Sequence, residues 1–87
     1  EFAVDVNTLE SYVGDYELAP GFILTVTRSD NRLLVKATGQ QELPVFAKSK
    51  NEFYYKIVEA QLTFNKNEDG KVESVTLHQG GREIVGK

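Results

Sequence analysis

The chain is dominated by a regular rhythm of short strand-like runs and turns. After Gly14, runs rich in Val, Thr, Tyr, Phe and Leu recur about every ten residues, and none of them shows the 3.6-residue period of a helix. Turn-forming residues separate the runs, for example Ala-Pro-Gly at 19–21, Ser-Asp-Asn at 29–31 and Gly-Gly at 80–81. Connections this short force neighbouring strands to run antiparallel. The rhythm therefore predicts an all-β fold.

Eight short strands are predicted between these turns, at residues 15–18, 22–28, 32–37, 42–47, 52–58, 60–65, 71–78 and 82–86. An up-and-down barrel of eight strands removes the exposed edges of a sheet and has a bore that side chains, or one small ligand, can fill. We therefore expect a small antiparallel barrel. A two-sheet sandwich is the alternative that the strand pattern leaves open.

Period-two alternation predicts which side chains fill the interior. The predicted core consists of Tyr16, Leu18, Phe22, Leu24, Val26, Leu33, Val35, Ala37, Leu43, Val45, Phe53, Tyr55, Ile57, Leu62, Phe64, Val75, Leu77 and Ile84. Val72 has the opposite parity to Val75, which predicts a β-bulge or an extended turn near residue 72.

One short helix is predicted before the strands, at about residues 8–13. Asn7 is a candidate N-cap, Glu10 completes a capping box three residues later, and Gly14 can end the helix. Leu9, Tyr12 and Val13 would share its buried stripe.

Composition limits the classes of protein that fit. The 87 residues are 40% hydrophobic and 26% charged, as in one globular domain, so residues 1–87 are predicted to form a single unit. The net charge of -3, with no basic run, argues against nucleic-acid binding, and no apolar stretch is long enough for membrane insertion. The absence of cysteine excludes disulfides and thiolate zinc sites. Because methionine is also absent, we expect the chain to be cut from a longer protein.

His78 is the single histidine and the first candidate for catalysis. Its position in the strand has the same parity as Ser74 and Thr76 and the opposite parity to Leu77. Alternation therefore turns His78 outward beside the Gly80 hairpin. A metal site needs further ligands, and a nucleophile needs a base held beside it. We therefore predict a surface residue, and we expect no catalytic, cofactor-binding or metal-binding residue in this chain.

Two further motifs are better explained as turns. Residues 65–70 half-match a calcium loop, but the twelfth position of that loop is Thr76 where a bidentate glutamate is needed. Residues 29–31 spell the Ser-Asp-Asn motif of serine β-lactamases, but the chain has no Ser-x-x-Lys or Lys-Thr-Gly companion. Both segments are predicted to be hairpin turns.

Several large apolar side chains have the parity opposite to the core. They are a predicted domain-contact surface, to which His78 is added as a strand-end neighbour, and comprise Ile23, Leu34, Phe46, Tyr54, Val58, His78 and Val85. The alternative is that the helix and residues 2–6 cover part of this face and that the rest are scattered surface hydrophobes.

A spread pattern of residues resembles a known family. It runs through residues 9–18 (Leu-Glu-Ser-Tyr-Val-Gly-Asp-Tyr-Glu-Leu), 20–22, 24–28, 32–33, 38–40, 53, 64, 69–72 (Asp-Gly-Lys-Val) and 78–82 (His-Gln-Gly-Gly-Arg). This pattern is similar to the small C-terminal domain of unknown function that is attached to many bacterial β-lactamase-like and penicillin-binding-protein-like serine hydrolases.

The resemblance implies a lipocalin-like barrel and an accessory role beside a separate hydrolase domain, in the same chain or oligomer. It also implies an extracytoplasmic setting in the bacterial periplasm or cell envelope, and it assigns no catalytic or binding residue to the module. We therefore expect a non-catalytic domain that packs against a hydrolase domain or a neighbouring subunit. The alternative is a miniature binding module that holds a small apolar ligand in the barrel.

Overall fold

The protein is a nearly closed barrel of eight antiparallel strands with one short helix at its N-terminal end. The computed structural model describes residues 2–87, and every strand pairs with the next one along the chain. The helix is α1 (Val6–Glu10), and the strands are β1 (Gly14–Ala19), β2 (Phe22–Ser29), β3 (Arg32–Ala37), β4 (Leu43–Ala47), β5 (Glu52–Tyr54), β6 (Ala60–Lys66), β7 (Val72–Gln79) and β8 (Arg82–Gly86). The predicted all-β barrel is confirmed, and the continuous strand order excludes a two-sheet sandwich.

The interior is filled by alternate side chains from the strands, as the parity pattern predicts. The buried members of the predicted core are Tyr16, Leu18, Leu24, Val26, Leu33, Val35, Val45, Phe53, Leu62, Phe64, Val75 and Leu77. Phe22, Ala37 and Tyr55 pack against them and are partly buried. Burial raises the pKa of Tyr16 and Tyr55 from 10.0 to about 12, since ionisation would place a charge in an apolar environment.

One end of the barrel, here called the closed end, is plugged by Tyr12. Its ring is fully buried and stacks on Phe64 at 4.3 Å between centroids, and it meets Phe53 edge-on at 5.8 Å. The Tyr12 hydroxyl donates to the Lys50 carbonyl at 2.7 Å, and the Tyr16 hydroxyl donates to the Tyr12 carbonyl at 2.8 Å. Large aromatic rings in such contacts contribute more than their buried area alone. The plug therefore ties the N-terminal segment to the barrel core.

The helix that delivers Tyr12 differs from its predicted form. Asp5, and not Asn7, is the N-cap: its carboxylate accepts from the backbone N–H of Thr8 at 2.7 Å, and this bond lowers the pKa of the Asp5 carboxyl. Glu10 completes no capping box, because it accepts from the Arg28 guanidinium at 2.7 Å instead. The helix ends at Glu10. Two hydrogen bonds of the 3₁₀ type follow, from the Tyr12 N–H to the Leu9 carbonyl and from the Val13 N–H to the Glu10 carbonyl. In the described part of the chain no helix has the length and hydropathy needed to cross a bilayer.

Three predicted core residues lie at the surface. Val13 is 38% exposed because the helix has already ended, so its helical parity no longer applies. Ile57 is 71% exposed because strand pairing stops at Tyr54, and the segment predicted as strand to residue 58 is a loop closed by the Tyr55 N–H to Ala60 carbonyl bond. Ile84 is 39% exposed because β1 ends at Ala19 and leaves that part of β8 uncovered.

The seam between β1 and β8 is held by one close approach. The Glu17 N–H donates to the Lys87 carbonyl at 3.2 Å. A Cβ on Gly86 would lie 2.7 Å from the Glu17 carbonyl oxygen, so the two strands approach this closely only because residue 86 has no side chain.

The phase change in β7 is a β-bulge, as predicted. Asn65 pairs with Ser74 and Lys66 pairs with Val72, which leaves Glu73 as the extra residue. Beyond the bulge the register is regular, so Val75 points into the core beside Phe64 and Ser74 points to the opposite face beside Asn65, although both are buried. The Ser74 hydroxyl accepts from the Asn65 amide at 3.1 Å, so its polar group is satisfied.

Replacing Tyr12 tests the aromatic plug. Tyr12→Ala should lower the free energy of unfolding by about 3–5 kcal/mol, because it opens a large cavity between two rings. Tyr12→Phe should cost about 1 kcal/mol, since it removes only the hydrogen bond to Lys50. Chemical denaturation measures both changes.

Val13→Ala is the matched control for that experiment, because the neighbouring side chain is exposed and its loss should change stability by less than about 0.5 kcal/mol. A Tyr12→Ala variant as stable as Val13→Ala would show that the plug does not hold the barrel together.

Candidate functional site

A row of outward side chains crosses five strands. In the strand register Phe46 lies opposite Tyr54, Tyr54 opposite Gln61, Gln61 opposite His78, and His78 opposite Glu83. Neighbours in such a row are close enough for their side chains to contact one another. Three members of the predicted contact surface, Phe46, Tyr54 and His78, are therefore brought onto one side of the barrel.

His78 faces outward, as predicted, and is held between two side chains. Its Nε2 lies 2.9 Å from the Thr63 hydroxyl, and its Nδ1 lies 3.3 Å from the Glu83 carboxylate. With a proton on Nδ1, the ring donates to Glu83 and accepts from Thr63. The contacts fix the imidazole against the outer face of β6–β8.

The order Thr63, His78, Glu83 matches that of a nucleophile, a base and an orienting acid. Acyl transfer also needs donors aimed at the developing oxyanion. Thr63 lies mid-strand, paired with Glu52 on one side and Thr76 on the other, so the nearby backbone N–H groups belong to the sheet ladders. The arrangement is suited to holding three strands in register rather than to binding a reacting carbonyl.

An open groove of about 1130 Å³ lies on the outer surface around this histidine. Thr63 and His78 lie along its floor, the loop of residues 55–59 forms one wall, and the Gly80 hairpin forms the other. Ile57, at 71% exposure, lines the loop side. The lining of the groove mixes apolar side chains such as Ile57 and Val58 with charged ones such as Arg82 and Glu83.

Phe46 is the centre of a second contact cluster. The Arg32 guanidinium lies 4.2 Å from the centroid of its ring, the Lys56 ammonium lies 4.0 Å from it, and the Tyr54 ring lies 5.9 Å away. Cations over an aromatic ring are attracted by its negative face. The cluster therefore presents an aromatic centre flanked by two positive charges.

The remaining predicted contact residues are spread around the barrel. Leu34 lies on the outer face between Thr27 and Pro44. Val58, at 38% exposure, is in the loop beside the groove. Ile23 on β2 and Val85 on β8 flank β1, away from Phe46. The predicted surface is thus not one patch.

The predicted covering by the N-terminal segment is only partly correct. The helix plugs the closed end and does not lie on the outer face, since Leu9 and Tyr12 are in the core. Phe2, however, donates its N–H to the Ala47 carbonyl at 3.1 Å, next to Phe46.

Sequence reasoning missed Arg32, Lys56, Thr63 and Glu83. A two-residue turn at Gly80 and Gly81 already places Glu83 opposite His78, so the hairpin register could have identified this partner. The pairing of β3 with β4 brings Arg32 beside Phe46, whereas the approach of Lys56 needs the loop conformation, for which the sequence carries no comparable signal.

The two other motifs are turns, as predicted. The Asn67 side chain accepts from the N–H groups of Asp69 and Lys71, which closes the β6–β7 turn. Asp30 has φ 54° in the β2–β3 turn. Within residues 2–87, no cluster of His, Asp and Glu has the geometry to hold a metal ion.

A small cavity lies at the open end of the barrel. It has a volume of about 110 Å³ and is lined by inward residues that include Phe22, Ala37, Tyr55 and Leu77. Ligand sites for drug-sized molecules usually measure about 300–1,000 Å³, so this cavity is small by comparison.

Adjacent substitutions test the face assigned to His78. His78→Ala should lower the free energy of unfolding by about 1 kcal/mol or less, because its partners remain accessible to water. Leu77→Ala should cost about 2–5 kcal/mol, because the neighbouring side chain is in the core. Urea denaturation of both variants measures the contrast, and equal losses would show that the assigned faces are wrong.

Comparison with known proteins gives the chain a family. A model described as Domain of unknown function (DUF3471) matches residues 3–87. The chain is also similar to penicillin-binding protein 4* of Bacillus subtilis (strain 168), with 31% identity over 81 residues. The match covers 93% of this chain but only 18% of that protein, so the chain spans less than a fifth of the relative's length. No solved structure matches the chain significantly. Because the family model extends over the helix and all eight strands, the chain belongs to the family of domains of unknown function DUF3471.

Proposed function

We propose that this barrel is a non-catalytic accessory domain of a β-lactamase-related serine hydrolase, and that it packs against the catalytic domain or a neighbouring subunit. The observation that carries the proposal is the alignment with penicillin-binding protein 4*, which uses nearly all of this chain and only 18% of that protein. An alignment that covers nearly all of a short chain and a small part of a long one is typical of one module in a larger protein.

The outer surface supports a role in protein contact. Phe46 and Tyr54 are large rings on the outside of a barrel, and Ile57, which lines the same groove as Tyr54, is 71% exposed. Apolar groups grouped on a surface and surrounded by polar ones mark sites of protein interaction. Aromatic residues are also enriched in such contacts.

We also propose an extracytoplasmic location, in the bacterial periplasm or cell envelope. The support is the relationship to a penicillin-binding protein. Localisation of the full-length protein by cell fractionation tests this directly.

The full-length polypeptide tests the accessory role. It should contain a region outside residues 1–87 with a Ser-x-x-Lys nucleophile, and an active-site-directed serine probe should label that region alone. Removal of residues 1–87 should lower the melting temperature of the hydrolase or change its kcat/KM, because a docked domain shields and steadies the surface it covers.

Two results would contradict the proposal. One is a hydrolase whose melting temperature and kinetics are the same with and without the barrel. The other is a mature protein that consists of the barrel alone.

The cavity at the open end favours a second candidate function, the binding of a small apolar ligand. The 110 Å³ volume is less than the roughly 150 Å³ of an engineered cavity that takes up benzene. Large inward side chains such as Phe22 and Tyr55 fill much of the remaining bore.

Titration with the fluorescent apolar probe N-phenyl-1-naphthylamine distinguishes the two candidates. If the barrel is an accessory domain, no saturable binding should occur at micromolar probe concentrations. Saturable binding that disappears in Ala37→Leu, which would fill the cavity, would instead establish the ligand-binding role.

A further inference from the structure

The charge of this protein is unevenly distributed. Residues 32–56 contain five basic and two acidic side chains, a net charge of +3, whereas the rest of the chain contains five basic and eleven acidic ones, a net charge of -6. The positive segment corresponds to β3, β4 and β5 with their connecting turns. An acidic protein therefore carries one basic side.

The basic side chains lie on the outer face of these strands and surround aromatic residues. We call Arg32, Phe46, Lys48, Tyr54 and Lys56 the basic face. Alternation along β3, β4 and β5 buries Leu33, Val45 and Phe53, and therefore turns Arg32, Phe46 and Tyr54 outward. Lys48 and Lys56 lie beyond the ends of β4 and β5 and are exposed. Glu52, Glu59 and Glu83 line the same groove as Lys48 and Lys56. The Glu52 carboxylate accepts from the Ser49 hydroxyl at 2.9 Å, and the Glu83 carboxylate lies 3.3 Å from Nδ1 of His78.

Two of these cations are held in place before any partner binds. The Arg32 guanidinium and the Lys56 ammonium lie 4.2 Å and 4.0 Å from the centroid of the Phe46 ring. Long side chains lose rotamer freedom when they are fixed at an interface, and this loss opposes binding. Because the Phe46 ring already restrains Arg32 and Lys56, part of this loss of side-chain entropy has occurred in the free domain before binding.

The N-terminal segment of the barrel lies beside the basic face. Phe2 donates to the Ala47 carbonyl, one residue from Phe46, and Phe2 and Arg32 line a common cavity of about 240 Å³. A domain joined ahead of Phe2 by a short connection would be held at high effective concentration beside the basic face.

We propose that the basic face docks on a carboxylate-bearing patch of the hydrolase domain in the same polypeptide. This inference rests on the proposed function and adds the surface and the chemistry of the partner to it. Carboxylates of the partner pair with Lys48 and Lys56, and apolar groups at its centre pack on Phe46 and Tyr54. Complementary charge of this kind selects the correct orientation of the two domains.

Zero-length cross-linking of the full-length protein with a carbodiimide tests the contact. The reagent joins a lysine ammonium to a carboxylate only where the two form an ion pair. Lys48 and Lys56, both exposed in the barrel, should cross-link to Asp or Glu outside residues 1–87. The yield should fall in 1 M salt, which screens charge pairs at distances beyond about 3 Å.

Charge reversal supplies the matched comparison. The double variant Lys48→Glu and Lys56→Glu should loosen the docking, and cross-links from the barrel's remaining lysines to the hydrolase domain should fall by about tenfold. Lys71→Glu makes the same type of change in the exposed β6–β7 turn, outside the basic face, and should leave the yield unchanged. Circular dichroism of each variant confirms that the barrel remains folded.

The outcomes separate this inference from the proposed function. Cross-links to the hydrolase domain that start only from Lys71 or Lys87 would overturn the basic face and leave the accessory role standing. Cross-links from Lys48 or Lys56 to a second copy of residues 1–87 would overturn docking on the hydrolase domain and would show that the basic face mediates self-association instead. Both proposals would be overturned if the barrel formed no cross-link to any other domain and if Lys48, Lys56 and Lys71 of the full-length protein were acetylated at equal rates, because no lysine would then be shielded by docking.

Discussion

The stacking of Tyr12 on Phe64 is the contact on which the rest of the barrel depends. The fully buried Tyr12 ring closes one end of the bore and meets Phe53 edge-on. The backbone carbonyl of Tyr12 accepts a hydrogen bond from the Tyr16 hydroxyl. A barrel of 87 residues buries a limited apolar area and is only marginally stable without such a plug. The short helix buries Leu9 in the core, pairs its Glu10 with Arg28 of β2, and leads directly into Tyr12.

Because side chains fill most of the barrel interior, the candidate functional sites lie mainly on its outer surface. The remaining inner space is a cavity of about 110 Å³ at the open end, whereas the outer surface carries a groove of about 1130 Å³ and the Phe46 cluster. His78 belongs to the groove, where its contacts with Thr63 and Glu83 hold neighbouring strands in register. The exterior is therefore where the proposed contact with a hydrolase domain would form.

Local patterns predicted most of the fold, and their failures have physical causes. Alternation identified the inward residues wherever a strand is paired on both sides, and it failed at Ile57 and Ile84, where pairing stops. The N-cap was misassigned because Asp5 and Asn7 are both good capping residues, and only the packing of Tyr12 selects where the helix begins and ends. The contact surface remains a prediction: register places Phe46, Tyr54 and His78 on one side of the barrel and leaves Ile23 and Val85 on another.

The sequence by itself determined the strand count, the turns, the parity of the core and the outward direction of His78, because these depend on neighbours two to four residues apart. The tertiary structure decided which residues from distant strands meet: Tyr12 with Phe64, Gly86 with Glu17, and Arg32 and Lys56 with Phe46. The first two contacts depend on barrel closure, the Arg32 contact depends on the pairing of β3 with β4, and the Lys56 contact depends on the conformation of the loop at residues 55–59. Barrel closure and the loop conformation are set by the packing of the whole chain, and no local pattern encodes them.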